Sequence, residues 1–241
     1  MSVQYLDLLP HQFRARLAAC PVAYLPLGTL EWHGEHMALG SDALIAQGVF
    51  RRVAQELGGI VMPPLFLGPD RIRREADGTV LMGMEYAEST TPPRQLDGGC
   101  YWVPDGVFLQ MLESIVVQVK RAGFKVLVAD GHGPSRWLWG DYAPKWQAQH
   151  GLRLISVKHD IPQGWVSQID HAAQNETSLL MALHPDLVDL TQLGTDRTIY
   201  PQGVGGVDPR DASVAHGEAC LRTSADALHA VVRTALAAGS V

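Results

Sequence analysis

The chain has 241 residues and a mass of 26.2 kDa, with 19 Lys+Arg against 25 Asp+Glu and a formal charge of −6. Hydrophobic residues at 46% and charged residues at 18% exclude intrinsic disorder, collagen and low-complexity sequence, leaving an ordinary globular protein. The acidic balance, with a pI of about 5.9, argues against nucleic-acid and membrane-surface partners, both of which need a positive footprint. Cys20, Cys100 and Cys220 are too scattered for a disulfide framework and fit a reducing compartment. The opening stretch MSVQYLDLLPHQFRARLAAC lacks the basic-then-apolar order of a signal peptide, and no window is apolar for the length of a membrane span. The expectation is a cytoplasmic, single-domain protein over residues 1–241.

Val22–Leu27 (VAYLPL) is a short apolar run broken by Gly28 and reads as a buried strand. From Asp42 to Leu57 the residues Ile45, Val49, Val53 and Leu57, with Ala46, Phe50 and Ala54 beside them, form one helical face. Ser41 or Asp42 can cap its start, and Gly58-Gly59 ends it. Gly59–Pro64 reads as a second strand. Between Leu65 and Pro104 the pattern dissolves into Gly, Pro and charge, which inside a compact domain signals a functional loop or small hairpins. Phe108, Met111, Leu112, Ile115, Val116 and Val119 mark a strong helix closed by Lys120, Arg121 and Gly123. Lys125–Ala129 is a strand, Ser135–Gln149 a helix, Leu152–Val157 a strand, and Thr177–Leu183 a helix stopped before Pro185. Leu221, Leu228, Val231, Val232 and Leu236 carry a last helix. This strand–helix alternation predicts right-handed crossovers and an α/β fold: three αβα layers, with a mainly parallel sheet and flanking helices. Ligands of such sheets gather at the carboxyl ends of the strands.

After Leu27 the chain reads GTLEWHGEHMALGSD, and after Ala129 it reads DGHGPS. Glu31 and His33 are two apart, so in extended backbone they leave on one face. Asp42 follows at a helix start, and His132 stands on a Gly-flanked turn at a strand end. These oxygen and nitrogen donors suit Zn²⁺, Mn²⁺ or Fe²⁺. Each also has an ordinary structural reading: Asp42 as a helix cap, His132 as a hydrogen-bonded loop residue. The coincidence of both segments at strand ends puts a metal site level with those readings.

LPLGTLEWHGEHMALGSD resembles the opening signature of the creatininase (creatinine amidohydrolase) family, a strand followed by Gly, Glu-x-His-Gly, His and Asp. VLVADGHGPS resembles that family's strand with Asn-Gly-His-Gly-Gly-Asn. DHAAQNETSLLMALHPDLVDL is similar to its His-Ala-Gly-x-x-Glu-Thr-Ser segment, and ASVAHGEA to its Gly-Glu step before the last helix. The resemblance implies a three-layer creatininase-like fold and two divalent ions per chain, Zn²⁺ first with Mn²⁺ or Fe²⁺ as alternatives. Glu31, Asp42 and His132 would hold one ion, while His33 and a bridging Asp42 would hold the other. Members with a Glu two residues after the strand-end His use it as a ligand; Pro134 stands there instead, and Glu176 is the best substitute. Glu176 reads equally as a first-turn carboxylate at the positive end of a helix. His171 matches a family His that shuttles protons, against a plain loop imidazole.

The resemblance thus implies a hydrolase that activates water to cleave an amide C–N bond of a small, cyclic molecule. Alternatives are hydrolytic ring opening of a cyclic ketone or diketone from sugar or polyol breakdown, and a non-catalytic ligand-binding relative. The family's His-Phe-Pro-Gly-Thr stretch is missing, and a longer segment ending TTPPRQLDGGCYWVPDG replaces it. There Tyr101 and Trp102 would line the substrate pocket or else pack the loop onto the sheet. Trp165 resembles a substrate-covering Trp of the family, displaced by two positions. Partners would be a small-molecule substrate and further copies of the chain, with a hexamer as the family's form.

Overall fold

A strand whose successive side chains are all apolar has no solvent face and must lie between two covering layers. The computed structural model describes residues 2–161 and 170–238. In chain order its helices and strands are α1 (Pro10–Ala19), β1 (Val22–Leu27), α2 (Ser41–Glu56), β2 (Ile60–Val61), β3 (Ile72–Arg74), β4 (Val80–Met82) and α3 (Asp105–Arg121). There follow β5 (Val126–Gly131), α4 (Gly133–His150), β6 (Arg153–Ser156), α5 (Val157–Asp160), α6 (Gln174–Leu183) and α7 (Val214–Ala237). Four parallel strands form one sheet in the order β2-β1-β5-β6, and β1 and β5 are buried at every position.

Alternate residues of each strand feed opposite cores. Val22, Tyr24, Val126, Val128 and Ile155 pack against Val49, Phe50 and Val53 of α2, Leu179 and Leu180 of α6, and Leu228 and Val232 of α7. Ala23, Leu25, Leu127, Ala129 and Leu154 pack against Phe108, Leu112 and Val116 of α3 and against Trp139 and Trp146 of α4. The result is the expected three-layer αβα arrangement. Among the described residues no helix is long and apolar enough to cross a membrane.

Several boundaries differ from the sequence reading for identifiable reasons. α1 is absent from it because PHQFRARLAA has no continuous apolar face and none of its residues is fully buried. The second strand shrinks to Ile60–Val61, since Pro63 and Pro64 end regular pairing. The irregular stretch contains a small antiparallel hairpin, β3–β4, in a sheet of its own.

The seam between β1 and β5 depends on one glycine. Gly131 has φ +149°, and a Cβ there would lie 1.7 Å from the Leu27 carbonyl oxygen. That same oxygen accepts the His132 N–H at 3.1 Å, so the two strand ends cannot separate to make room. Gly131→Ala is therefore expected to cost about 3 kcal/mol or more, combining backbone strain with a lost buried hydrogen bond. Chemical denaturation of the purified variant measures this; a change within about 0.5 kcal/mol would show that the seam can relax.

Candidate functional site

From the β1–β5 seam the chain continues to β2 on one side and to β6 on the other, and such switch points open a crevice at the carboxyl edge of a parallel sheet. Gly28 ends β1 without a side chain. A Cβ there would meet the Ala43 Cβ at 2.5 Å, so bare backbone lets the first turn of α2 close onto the strand end. This brings Asp42 to the residues after β1. Asp42 is not the cap expected of it: Gly40 occupies the N-cap position without a side-chain bond, and the Asp42 carboxylate turns to His132 instead. Ser41 is likewise inside the helix, and its hydroxyl donates to the Ala38 carbonyl.

Residues from four separate stretches converge here. His132 Nδ1 lies 2.9 Å from Glu31 Oε1 and 3.1 Å from Asp42 Oδ2. His33 Nε2 lies 3.6 Å from Asp42 Oδ2 and 3.8 Å from Glu176 Oε1. His171 Nδ1 is 4.0 Å from Glu31 Oε1, and its ring stacks on that of His33 with centroids 4.5 Å apart. Glu31, Asp42 and His132 offer donor atoms within 4.8 Å of one another, as do His33, Asp42 and Glu176, and as do Glu31, His33 and His171.

Backbone carbonyls fix the tautomers of the three imidazoles. A carbonyl oxygen only accepts, so the ring nitrogen facing it must carry the proton. His33 Nδ1 donates to the Glu31 carbonyl at 3.1 Å, His132 Nε2 to the Pro69 carbonyl at 3.0 Å, and His171 Nε2 to the Trp32 carbonyl at 2.8 Å. In the neutral rings each remaining nitrogen then presents its lone pair to carboxylate oxygens. Lone pairs facing anions repel unless a proton or another cation stands between them.

The titration behaviour follows from that repulsion. Burial disfavours charge on His33, but Glu176 and Asp42 overcome it and raise its pKa to about 10. His132 is likewise raised well above the ordinary range, burial being outweighed by Glu31 and Asp42. Burial also opposes ionisation of Asp42, yet His33 and His132 hold its carboxyl well below the usual carboxylate range. Burial lifts Glu176 to about 8, against the pull of His33. His171 goes the other way: burial and the neighbouring His33 lower it.

The supporting contacts hold α6 in place. Asp170 accepts the N–H groups of Asn175 and Glu176 at 2.8 and 3.1 Å, capping the start of that helix. Glu176 Oε2 accepts the Ala172 N–H at 2.6 Å, and Ala172 has φ +52°, a left-handed conformation costing about 1 kcal/mol. His36, the second imidazole of the first motif, stands outside the donor groups. Its Nε2 bonds Thr177 Oγ1 at 2.9 Å, and burial lowers its pKa to about 4.

A cavity of about 600 Å³ opens on the cluster. Pro134 borders it, as do Asp70, Arg71, Arg136 and Trp137, none of which the sequence reading singled out. Arg136 had a legible signal: it stands four residues after His132, one helical turn on, with Asp130 two residues before that histidine. Asp130 and Arg136 form a bidentate pair at 2.6 and 3.1 Å. Asp70 follows β2 in a loop without pattern; burial and Glu31 raise it to about 7. Tyr101 and Trp102 do not border this cavity. Tyr101 is half-exposed, its backbone bridges Leu30, and its carbonyl accepts the Thr29 hydroxyl at 3.2 Å. Trp165 lies outside the described residues.

Residues 7–232 match the family model Creatininase, described as creatinine amidohydrolase. The chain is 30% identical over 232 residues to the creatinine amidohydrolase of Pseudomonas putida, covering 86% of this chain and 83% of that one. It is 26% identical over 133 residues to a 3-dehydro-scyllo-inosose hydrolase of Thermotoga maritima, covering 55% of this chain and 36% of the relative. Among solved structures, one named Creatininase Mn superposes with a TM-score of 0.70 at 25% identity, covering 97% and 98% of the two chains. With the family's motif residues gathered at one sheet edge and the match extending over nearly the whole sequence, the chain belongs to the creatininase family of metal-dependent hydrolases.

Proposed function

We propose that this protein hydrolyses an amide C–N bond of a small, cyclic molecule at a centre of two divalent ions. Glu31, Asp42 and His132 would hold one ion, and His33, Asp42 and Glu176 the other. The observation that carries this reading is the pair of donor groups sharing Asp42, with His33 and His132 each grounded on a carbonyl so that the second nitrogen faces carboxylate oxygens. His33 Nε2 is buried and has no hydrogen-bond partner among the described residues, a costly state for a polar atom unless a cation occupies the space it faces. Glu176 supplies the carboxylate that Pro134 cannot. The mixed imidazole and carboxylate donors suit Zn²⁺ best and accept Mn²⁺ or Fe²⁺.

Ions bound there supply Lewis acidity, which polarises a carbonyl oxygen and makes water a nucleophile near neutral pH. His171 is assigned the proton transfer. Its Nε2–H is committed to the Trp32 carbonyl, leaving Nδ1 to take up a proton and deliver it to the departing nitrogen. Its lowered pKa keeps that nitrogen unprotonated at neutral pH, and Glu31 at 4.0 Å steadies the ring once it is charged. A second reading, hydrolytic opening of a cyclic ketone, is favoured by the similarity to the Thermotoga hydrolase. Ion-loaded protein incubated with matched panels of lactams, open-chain amides and cyclic ketones separates the two. Amine or ammonia release supports amide hydrolysis; acid formation from the ketones alone transfers the assignment. Elemental analysis giving under about one divalent ion per chain would remove the ground for both. The family reading also makes the working form a homo-oligomer, which light scattering tests.

The raised pKa values give a pH prediction. In ion-free protein His33 titrates near 10 against about 6.5 when unfolded, so its contribution to stability is complete below pH 6.5 and lost as pH rises toward 10. Glu176, raised to about 8, acts in the same direction, because the folded state then binds the extra proton. Chelator-treated protein is expected to melt roughly 5 °C or more lower at pH 9 than at pH 6, while ion-loaded protein loses much less because ions replace the protons. Thermal unfolding at both pH values, with and without chelator, checks this. Equal shifts in the two forms would show that these imidazoles do not face the ions.

A further inference from the structure

The donor cluster accounts for only part of the cavity. Among the described residues three cations border the rest, Arg71, Arg136 and Lys158, in a protein whose net charge is −6. Two of them have anionic partners: Arg136 is clamped by the buried Asp130, and Lys158 pairs with Asp141. The cavity's Asp170 is engaged in capping α6. Arg71 differs. Its guanidinium lies over the Trp137 ring, with Cζ 4.8 Å from the centroid. An aromatic face attracts a guanidinium without consuming its in-plane N–H donors, which stay available as a fork matched to a carboxylate.

The position of this pair is built into the backbone. Arg71 precedes β3, and its N–H donates to Asp70 Oδ1 at 2.7 Å while its carbonyl accepts the Gly83 N–H at 2.9 Å. Trp137 sits on α4 five residues after His132, so the helix that begins at the donor cluster also carries the platform. Trp137 remains 43% exposed beside the cavity. A large aromatic left open next to an oriented cation is a recognition surface for a flat, negatively charged group.

We propose that Arg71, seated on Trp137, receives a carboxylate of the substrate, so that this enzyme acts on small amides that are themselves acids. Lactams bearing a carboxyl group are the simplest form of that class that is also cyclic. The inference rests on the hydrolase reading above and names its substrate class. Bound ions would neutralise Glu31, Asp42 and Glu176, which removes the repulsion that an anionic substrate would otherwise meet.

Matched probes differing only in charge test the proposal: 5-oxoproline against its carboxamide, and 6-oxopiperidine-2-carboxylate against its carboxamide. With ion-loaded wild type, the acid of each pair should be preferred by about tenfold or more in kcat/KM, chiefly through KM, and Arg71→Gln should collapse that preference. Equal use of acid and amide by the wild type, or an unchanged preference in Arg71→Gln, would overturn the assignment, as would a collapse seen only in Lys158→Gln. Arg71 is exposed, so the variant is expected to fold and keep its ions, which melting and elemental analysis verify. If no amide is turned over at all, the hydrolase reading fails on its own, and calorimetric titration of glutarate into both proteins still decides the inference. Binding weakened about fivefold or more by Arg71→Gln supports a carboxylate receptor, and equal binding overturns it.

Discussion

Asp42→Ala is expected to strip both ions from the protein and to lower kcat/KM by on the order of 10³-fold or more. The cause is sharing. Asp42 Oδ2 is 3.1 Å from His132 Nδ1 and 3.6 Å from His33 Nε2, and the residue belongs to both donor groups of the proposed centre. Glu31 serves only the first group and Glu176 only the second, so neither can replace a carboxylate lying between the two imidazoles. The loss also releases His33 and His132 from an anion that helps hold them protonated in ion-free protein, and their pKa values should fall. Elemental analysis after mild purification, paired with turnover, reads the outcome. Retention of two ions by this variant would show that the centre is assembled differently. Asp42→Asn keeps the shape while removing the charge, and separates loss of the anion from loss of packing.

His171→Ala should produce the opposite pattern, with ions retained and kcat reduced by about 10²- to 10⁴-fold. A group that only moves protons can be removed without emptying the site, whereas a ligand cannot. The distinction is a sharp one here, because Glu31, His33 and His171 also form a group of possible ligands. Loss of one ion in this variant would make His171 a ligand and leave the proton transfer unassigned. The pH profile gives an independent reading. Burial and His33 keep the His171 pKa below its ordinary value, so the wild-type rate should fall only as pH drops into that lowered range. The variant should lose that limb.

Much of this arrangement was legible before any coordinates, and the parts that were not share a cause. β1, β5, α2 and α3 carry continuous apolar runs or clean helical faces, because each is covered by the core on at least one side. Glu31, His33, Asp42 and His132 follow directly on such elements, so their meeting at one edge could be inferred from sheet topology. Glu176 remained open, since a carboxylate in a helix's first turn has an adequate local reason to be there; its second oxygen does serve the local backbone through Ala172. The small hairpins allowed for in 65–104 are present as β3–β4, but their bounds could not be placed because the two strands are only three residues each and partly exposed. Asp70 and Arg71 stand just ahead of that hairpin. Trp137 is on a helix that contains Pro144 and has little amphipathic contrast, so its face could not be assigned from periodicity.

The separation of the hairpin from the main sheet has a consequence for how specificity can change. The donor residues stand on the ends of β1 and β5 and on the starts of α2 and α6, whereas Arg71 and Met84 belong to the insert between β2 and α3. Such a division makes the insert an interchangeable cassette. A chimera carrying a relative's version of residues 65–104 would exchange the recognition wall while keeping the donor side chains, provided that the grafted segment still offers His132 the carbonyl that Pro69 presents and buries apolar residues where Leu81 and Leu96 anchor it. Laboratory evolution toward new substrates is accordingly best confined to that stretch.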